Sequence, residues 1–543
     1  MRFNKRLGVL AGVAVAALFL VACGGNQSSS STDTKTWSRM EGDVISSMDS
    51  AVVTDAISGQ ALVDTMDGLY RYAGSDLQPA MASKIVTPTN DGKTYTFKLR
   101  DAKWSNGDPV TAQDFVFAWK RAIDPKTKSQ YAYLFSGIVN ADDIMAGKKA
   151  ASTLGVKAID DKTFEVTLDH AIPYFGTMMV NPVFFPQNQK VVEKAGKNYG
   201  TNSDNIVSNG PFILKNWNGT GNSWNEVKNK DYWNAKNVKL NKINVQVIKD
   251  PSTAMNLYQS GKLDDATLSG AQAAQAKTMK DVTALKQATT FYLELNEKKT
   301  PALKNEKLRQ AISMSLNRKE FIDKVLQDSS VAPTGLVPEN LAKNPTTGED
   351  FSKEAAKTTS QYTKYDKTEA KKLWSEGLKE TNVKSLNLEL LTDDTDVAKK
   401  SSEYFQSALE DLPGLKLTIS SVPFKTRLTR SQNGQFDMVI SAWGADFPDP
   451  ITFLDMFTSS NSYNNGKWSN ADYDKLIADS KGKDATNPEA RWNDLLKAQE
   501  ILTKEQGIIP IYQRAQTHLV NKKMHDLQYS PANMYNFVNA YLK

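Results

Sequence analysis

The chain is poor in the residues that most protein chemistry needs. It has one cysteine, Cys23, and three histidines, His170, His518 and His525. A single cysteine permits no internal disulfide and no thiolate metal site, and the histidines stand at no metal-ligand spacing, so no metal is expected. Neither a phosphate-cradling glycine loop nor a Gly-x-Ser-x-Gly nucleophile turn occurs. Gly219-Thr220-Gly221 is a bare glycine pair in a polar stretch and reads as a loop turn. Neither catalysis nor a cofactor is therefore expected. Lysines alternate with acids instead of clustering, and the net charge of +6 includes Arg2, Lys5 and Arg6 near the start. The basic footprint of a nucleic-acid binder is missing. Beyond residue 22 no apolar run is long enough to cross a bilayer.

What the N-terminus does have is an address. The three early cations precede an almost wholly apolar stretch over 7–22 (LGVLAGVAVAALFLVA) that ends in small residues. A basic start, a short apolar run and a small-residue end mark a secretory leader. The run falls short of the roughly 20 residues of a membrane span, which disfavours a permanent anchor helix. Leu20-Val21-Ala22-Cys23-Gly24 resembles the bacterial lipobox, in which cleavage before the cysteine is coupled to its lipidation. Cys23 is thus expected to carry the lipid, and two or more acyl chains give stable anchoring. The expected place is the outer face of a cell membrane, in a cell without an outer membrane. Residues 1–22 are assigned to the leader and 23–36 to the lipidated cysteine and a small, polar tether (GGNQSSSSTDTKT).

The rest reads as folded. With 40% hydrophobic and 24% charged residues the composition is that of a globular chain, and its length suggests two to four domains. After the turn signal Asn90-Asp91-Gly92, the residues Tyr95, Phe97 and Leu99 alternate with polar ones, which predicts a strand. Thr111 can cap a helix with Asp114 in its first turn, and Phe115, Ala118, Trp119 and Ala122 share one helical face. Further strands are predicted over 163–168, 242–248, 385–391, 416–422 and 437–443. Helices are predicted over 252–260, 305–316, 318–327, 367–377, 396–412, 471–479 and 488–506. Asp396, at the end of Asp393-Asp394-Thr395-Asp396, is taken as the cap of its helix. Mixed strands and helices over this length point to an α/β protein of several domains.

Binding chemistry is better supported than catalysis. Ten tryptophans and nineteen tyrosines supply large amphipathic surfaces, most of them destined for cores. In FDMVISAWGADFPDPITFL a predicted strand leads into a loop with an aromatic, a glycine, the carboxylates Asp446 and Asp449, and two prolines. A loop at a strand end is a natural ligand site, and a carboxylate held there suits an ammonium group. A proline-stiffened connection with its acids in water explains the composition equally well.

The chain resembles the oligopeptide-binding protein family, the receptors of ABC peptide importers. The likeness runs from about residue 48 to the end. Its segments are TYTFKLRDAKWSNGDPVTAQDFVFAWKRAIDP, DDIMAGKKAASTLGVKAIDDKTFEVTLDHAIPYF, SNGPFILKNW, LELNEKKTPALKNEKLRQAISMSLNRKE and WGADFPDPITFL, in the family's order. The resemblance implies a periplasmic-binding-protein-like, two-lobed α/β fold of type II with three domains and a hinge. Domain I would comprise 37–66, 191–288 and 516–543, domain II 67–190, and domain III 289–515. It implies a monomer that binds oligopeptides in an interdomain cleft and delivers them to permease subunits of an ABC importer. A relative specialised for a sugar, nickel chelate or haem, a peptide-pheromone sensor, and an adhesin or chaperone on the same fold are the alternatives.

Residue by residue, Asp446 matches the carboxylate that receives the peptide ammonium. Ala442, Trp443 and Gly444 match the backbone track, and Tyr131 a tyrosine that touches peptide. Thr54, Ala56 and Ser58 match a strand that pairs with the ligand. Asn464, Glu294 and Tyr512 are further candidates. Ile440 and Val397 stand where several members place Arg or His for the peptide carboxylate, and Arg430 and Arg514 are cations near those positions.

Overall fold

Two long strands, Val282–Leu295 and Ile509–Val520, run antiparallel through the middle of the molecule and organise the rest. Their ladder is regular from Val282↔Leu519 to Lys286↔Ala515, breaks, and resumes at Thr290↔Gln513. Neither was foreseen from the sequence: Ile509–Val520 and the second half of Val282–Leu295 are buried on both faces, the first half of Val282–Leu295 is largely exposed, and neither pattern gives the alternation of a half-exposed strand. The computed structural model describes residues 35–530 and 534–543. The leader, Cys23 and the tether up to residue 34 lie outside the described residues. The first strand, Thr36–Glu41, begins at the last residue assigned to the tether. Among the described residues, no helix is long and apolar enough to cross a membrane.

Around the two long strands lies one ten-stranded sheet. On one side come Met438–Gly444, Leu386–Asp393 and Leu415–Val422; on the other come Asp265–Leu268, Thr36–Glu41, Lys242–Val247, Ser223–Lys228 and Phe212–Lys215. Lys249 and Asp394 follow strands six places apart in this order, yet their side chains form an ion pair. Laid flat, six spacings of about 4.8 Å would separate them by about 29 Å. The sheet therefore curls until its two halves face each other across a cleft, as the type II two-lobed fold requires.

A separate three-stranded sheet, Thr94–Lys98, Thr163–Thr167 and Val156–Asp160, carries the helix Ala112–Ile123. Its start is as predicted: the Thr111 N–H donates to the Asp114 carboxylate at 2.8 Å. The predicted face is buried, with Trp119 edge-on to Phe164 at 5.0 Å and to Phe184 at 5.0 Å. A second core gathers Leu293, Leu390, Phe405, Leu409, Met438 and Ile509 beneath the Leu386–Asp393 end of the large sheet.

Three local expectations need correction. The helix begun by Asp396 is capped one residue earlier, where Thr395 Oγ1 accepts from the Ala398 N–H at 3.3 Å; Asp396 sits in the first turn and pairs with Lys400. The helix expected over 318–327 is α-helical only at Arg318–Phe321 and widens into a π turn at Ile322–Leu326. Thr54 to Ser58 is not a strand. Asp55 accepts from the Ser58 N–H at 2.8 Å and caps the helix Ala56–Thr65, so Ala56 and Ser58 lie in its first turn. Gly219 and Gly221 do form a turn, in which Asn218 Oδ1 accepts from the Thr220 and Gly221 N–H groups.

Candidate functional site

The strand Met438–Gly444 pairs along its whole length with Leu295–Thr289 on one side. On its other side it meets Leu386–Asp393 only at Leu390↔Met438 and Leu391↔Val439. Among the described residues, Ile440 to Gly444 thus present an edge with no neighbouring strand. The alternation of an antiparallel ladder decides which groups face out. The Ala445 N–H donates to Ala288 C=O at 2.8 Å, which turns Trp443 and Ser441 toward that neighbour. The backbone N–H and C=O of Gly444 and Ala442 and the C=O of Ile440 then point the other way, the Ile440 N–H being taken up in the pairing with Leu391. Unpaired edges of this kind accept an extended chain as an added strand.

That edge borders a cavity of about 520 Å³. The two long strands form its floor, with Gln287, Thr289 and Phe291 on one and Tyr512, Arg514 and Gln516 on the other. Phe291 and Tyr512 stack at 4.4 Å and 9°. Tyr131, Thr54, Ala56, Ala442, Trp443, Gly444 and Asp446 all line the same space.

Asp446 sits just past the free edge. Its Oδ1 accepts from Tyr131 Oη at 2.9 Å and from Asn181 Nδ2 at 2.9 Å, and its Oδ2 accepts from Thr452 Oγ1 at 3.2 Å. Its own N–H donates to Thr452 Oγ1 at 3.1 Å, which locks the loop in place. Among the described residues no cation pairs with it. Burial pushes its carboxyl up to about 7 against the pull of those three hydrogen bonds. Beside it, Trp443 and Tyr463 meet edge to face at 4.6 Å, and Tyr131 packs on Tyr463 at 5.4 Å. Burial and the Asp446 charge raise Tyr131, Tyr133 and Tyr463 well above the ordinary phenol range. They stay neutral, and their rings and the carboxylate together make a socket for an ammonium group.

The neighbouring carboxylate has a different task. Asp449 takes Arg491 in a two-point bridge at 2.9 and 2.7 Å, and Arg491 lies over Tyr174, whose ring stacks on Phe447 at 5.2 Å. Of the two acids in the proline-rich loop, Asp449 builds the loop and Asp446 faces the cavity.

Three expected site residues lie off the cavity wall. Asn464 donates to the carbonyls of Trp468 at 2.7 Å and Thr458 at 3.2 Å, shaping its own loop. Glu294 accepts from the Gly466 N–H, where a Cβ would stand 2.2 Å from Leu295 O; burial pushes Glu294 up to about 7. Ser58 is fully buried and accepts from the Ser46 N–H at 2.9 Å. Asn181, Thr452 and Tyr463 were missed. The SYNNGKW turn around Tyr463 drew notice in the sequence, and Thr452 lies within the WGADFPDPITFL segment singled out there, but its own role was not read.

A cleft between facing half-sheets, lined with recognition groups and a waiting carboxylate, is the architecture of a solute receptor. The model of the bacterial extracellular solute-binding proteins, family 5, matches residues 76–465, and the chain belongs to that family. Among curated relatives, the dipeptide-binding protein of Lactococcus lactis subsp. cremoris is 38% identical over 100% of both chains. Among solved structures, Listeria monocytogenes OppA bound to peptide matches with a TM-score of 0.89 and 40% identity, covering 94% of this chain and 100% of that one. The substrate-binding domain of an oligopeptide ABC transporter from Bacillus anthracis str. Ames matches with a TM-score of 0.90 and 38% identity, over 94% and 99%. Members of this family are binding proteins rather than enzymes.

Proposed function

We propose that the protein is an extracytoplasmic receptor that binds oligopeptides in the cleft and delivers them to an ABC importer. The observation that carries this reading is Asp446, which among the described residues is a carboxylate without a cation, at the end of a strand edge without a partner. A peptide fills both vacancies at once: its backbone pairs with Ile440–Gly444 while its ammonium docks on Asp446. Backbone pairing is blind to side chains, so one site serves many sequences. The relatives named for dipeptides and oligopeptides agree with this chemistry.

In this reading domain I (37–66, 191–288, 516–543) and domain III (289–515) close on the peptide by bending where the ladder between the two long strands breaks, with domain II (67–190) supplying Tyr131 and Asn181. The ligand selects the closed form because it touches both lobes. The receptor acts as a monomer. Lipid on Cys23, read from Leu20 to Gly24, holds it on the outer face of the membrane and raises its effective concentration at the permease. The test is mass spectrometry of small molecules released by denaturing the protein purified from its own cells. Peptides with free amino termini are expected; a sugar, metal chelate or haem in their place overturns the reading.

A further inference from the structure

The cavity wall carries three cations, and two are already paired. Lys249 bridges Asp43 at 2.9 Å and Asp394, and Arg427 holds Asp393 at 3.0 Å. Arg514 is different. Among the described residues, no carboxylate stands within ion-pair distance of it, although it lies on the cavity floor. Arg430, the other cation singled out in the sequence, is bound to Glu389 and to Ser420 and lies off the wall. Ile440 and Val397 face the cavity and bring no charge.

Arg514 is held firmly in place. Its Nε donates to Gln287 Oε1, and its guanidinium lies 5.5 Å from the centre of the Phe291 ring. A donor-only group on Gln287 Oε1 fixes the orientation of that amide. Gln287 Nε2 accordingly donates to Gln516 Oε1 at 2.8 Å and to Tyr529 Oη at 2.6 Å. Gln516 Oε1 also meets His518 Nε2 at 3.3 Å, and His518 Nδ1 meets Asp265 at 2.7 Å. One edge of the guanidinium is thus anchored through a chain of side chains, and among the described residues neither Nη group has a hydrogen-bond partner, which leaves both for a ligand. A fork of two N–H donors fits a carboxylate better than any neutral group.

The ladder also says which part of a ligand this fork meets. Gly444 pairs with Thr289, and Arg514 faces the irregular stretch 287–289 from the other side. Arg514 therefore lies in the row of Gly444, two strand spacings or about 10 Å across the floor. Asp446 stands two residues beyond Gly444, at the ammonium end.

We propose that Arg514 receives a ligand carboxylate near the amino-terminal end of the bound peptide, making the cleft a two-point reader of opposite charges. The carboxylate is the chain terminus of a di- or tripeptide or the side chain of an acidic residue early in a longer one. This proposal rests on the peptide-receptor reading. The test uses calorimetric titration of matched pairs. Dialanine and trialanine are compared with their C-terminal amides, and amidated pentaalanines bearing Glu at position 1, 2 or 3 with their Gln twins. Charge-assisted hydrogen bonds in the cleft should make at least one acid bind about 10- to 100-fold tighter than its neutral twin. R514Q should bring that acid down to its twin, and R514K should keep part of the preference. Preference in the first set assigns the terminus, and preference in the second assigns the side chain. Equal binding of all twins, a preference that survives R514Q, or a loss shared equally by acid and twin would overturn the proposal while leaving the receptor reading intact. Failure of every peptide to bind the wild type would overturn that reading first.

Discussion

Peptide affinity should follow a bell-shaped curve in pH, and its acid limb belongs to Asp446. Burial raises this carboxyl from its ordinary value of 3.8 to about 7 in the empty cleft. The neutral acid is thus the favoured form below pH 7, but only the carboxylate attracts an ammonium. Apparent affinity scales with the competent fraction. With a titration point of about 7, Asp446 is ionised in about three quarters of molecules at pH 7.5 and in about one in a hundred at pH 5. The peptide amine, titrating at about 7.7–8.0, is about two thirds charged at pH 7.5 and fully charged at pH 5. The product of the two fractions falls about 50-fold between these pH values, and by about tenfold from pH 7.5 to 9 as the amine deprotonates. The assay is isothermal titration with tetraalanine across this range. Asp446→Asn should remove the acid limb along with most of the affinity. An unchanged affinity from pH 7.5 to 5 would refute the assignment of Asp446 as the ammonium acceptor.

Three shorter predictions accompany it. In the empty protein an acid raised to about 7 favours folding below that pH and costs stability as pH rises through it, so Asp446→Asn should raise the melting temperature at pH 8 and leave it unchanged at pH 3, below the ordinary carboxyl range; an equal shift at both would contradict the burial argument. Tyr131→Phe removes one donor from the carboxylate, which should move the acid limb to higher pH and weaken peptide binding about 10-fold by titration; a limb that stays put would show that the hydrogen bond does not reach the charge. Lys249→Ala opens the Asp43–Lys249–Asp394 bridge between the two halves of the sheet. It should speed peptide release about two- to fivefold in stopped flow, the modest effect of a half-exposed pair, with association unchanged; slower release would contradict its role in closure.

Some of this was readable in the chain and some was not, for physical reasons. The strand at Thr94–Lys98 and the helix at Ala112–Ile123 declared themselves because each buries one face only, which imposes a period on the sequence. The two central strands carry a register break in their middle, and Val282–Leu295 passes from an exposed first half to a second half buried on both faces, so no period survives. Asp55 and Ser58 hold a helix-cap spacing that was legible, but the resemblance to relatives suggested a strand there instead. Asp446 and Asp449 are indistinguishable by local composition. The family resemblance pointed to Asp446, but the physical difference lies in partners brought in by folding: Tyr131 and Asn181 for the first, Arg491 for the second. The same holds for Arg514, which among the described residues has no carboxylate within ion-pair distance and acts on Asp328 of the same wall only at longer range.

The central claim is that a peptide enters by its free amine and pairs as a strand with Ile440–Gly444. The most direct measurement is the affinity of tetraalanine set against its N-acetylated form for the same protein at pH 7.5. The account predicts that acetylation, which removes the charge Asp446 awaits, weakens binding by 100-fold or more, on the order of 3 kcal/mol. Equal affinity for the two forms would contradict it.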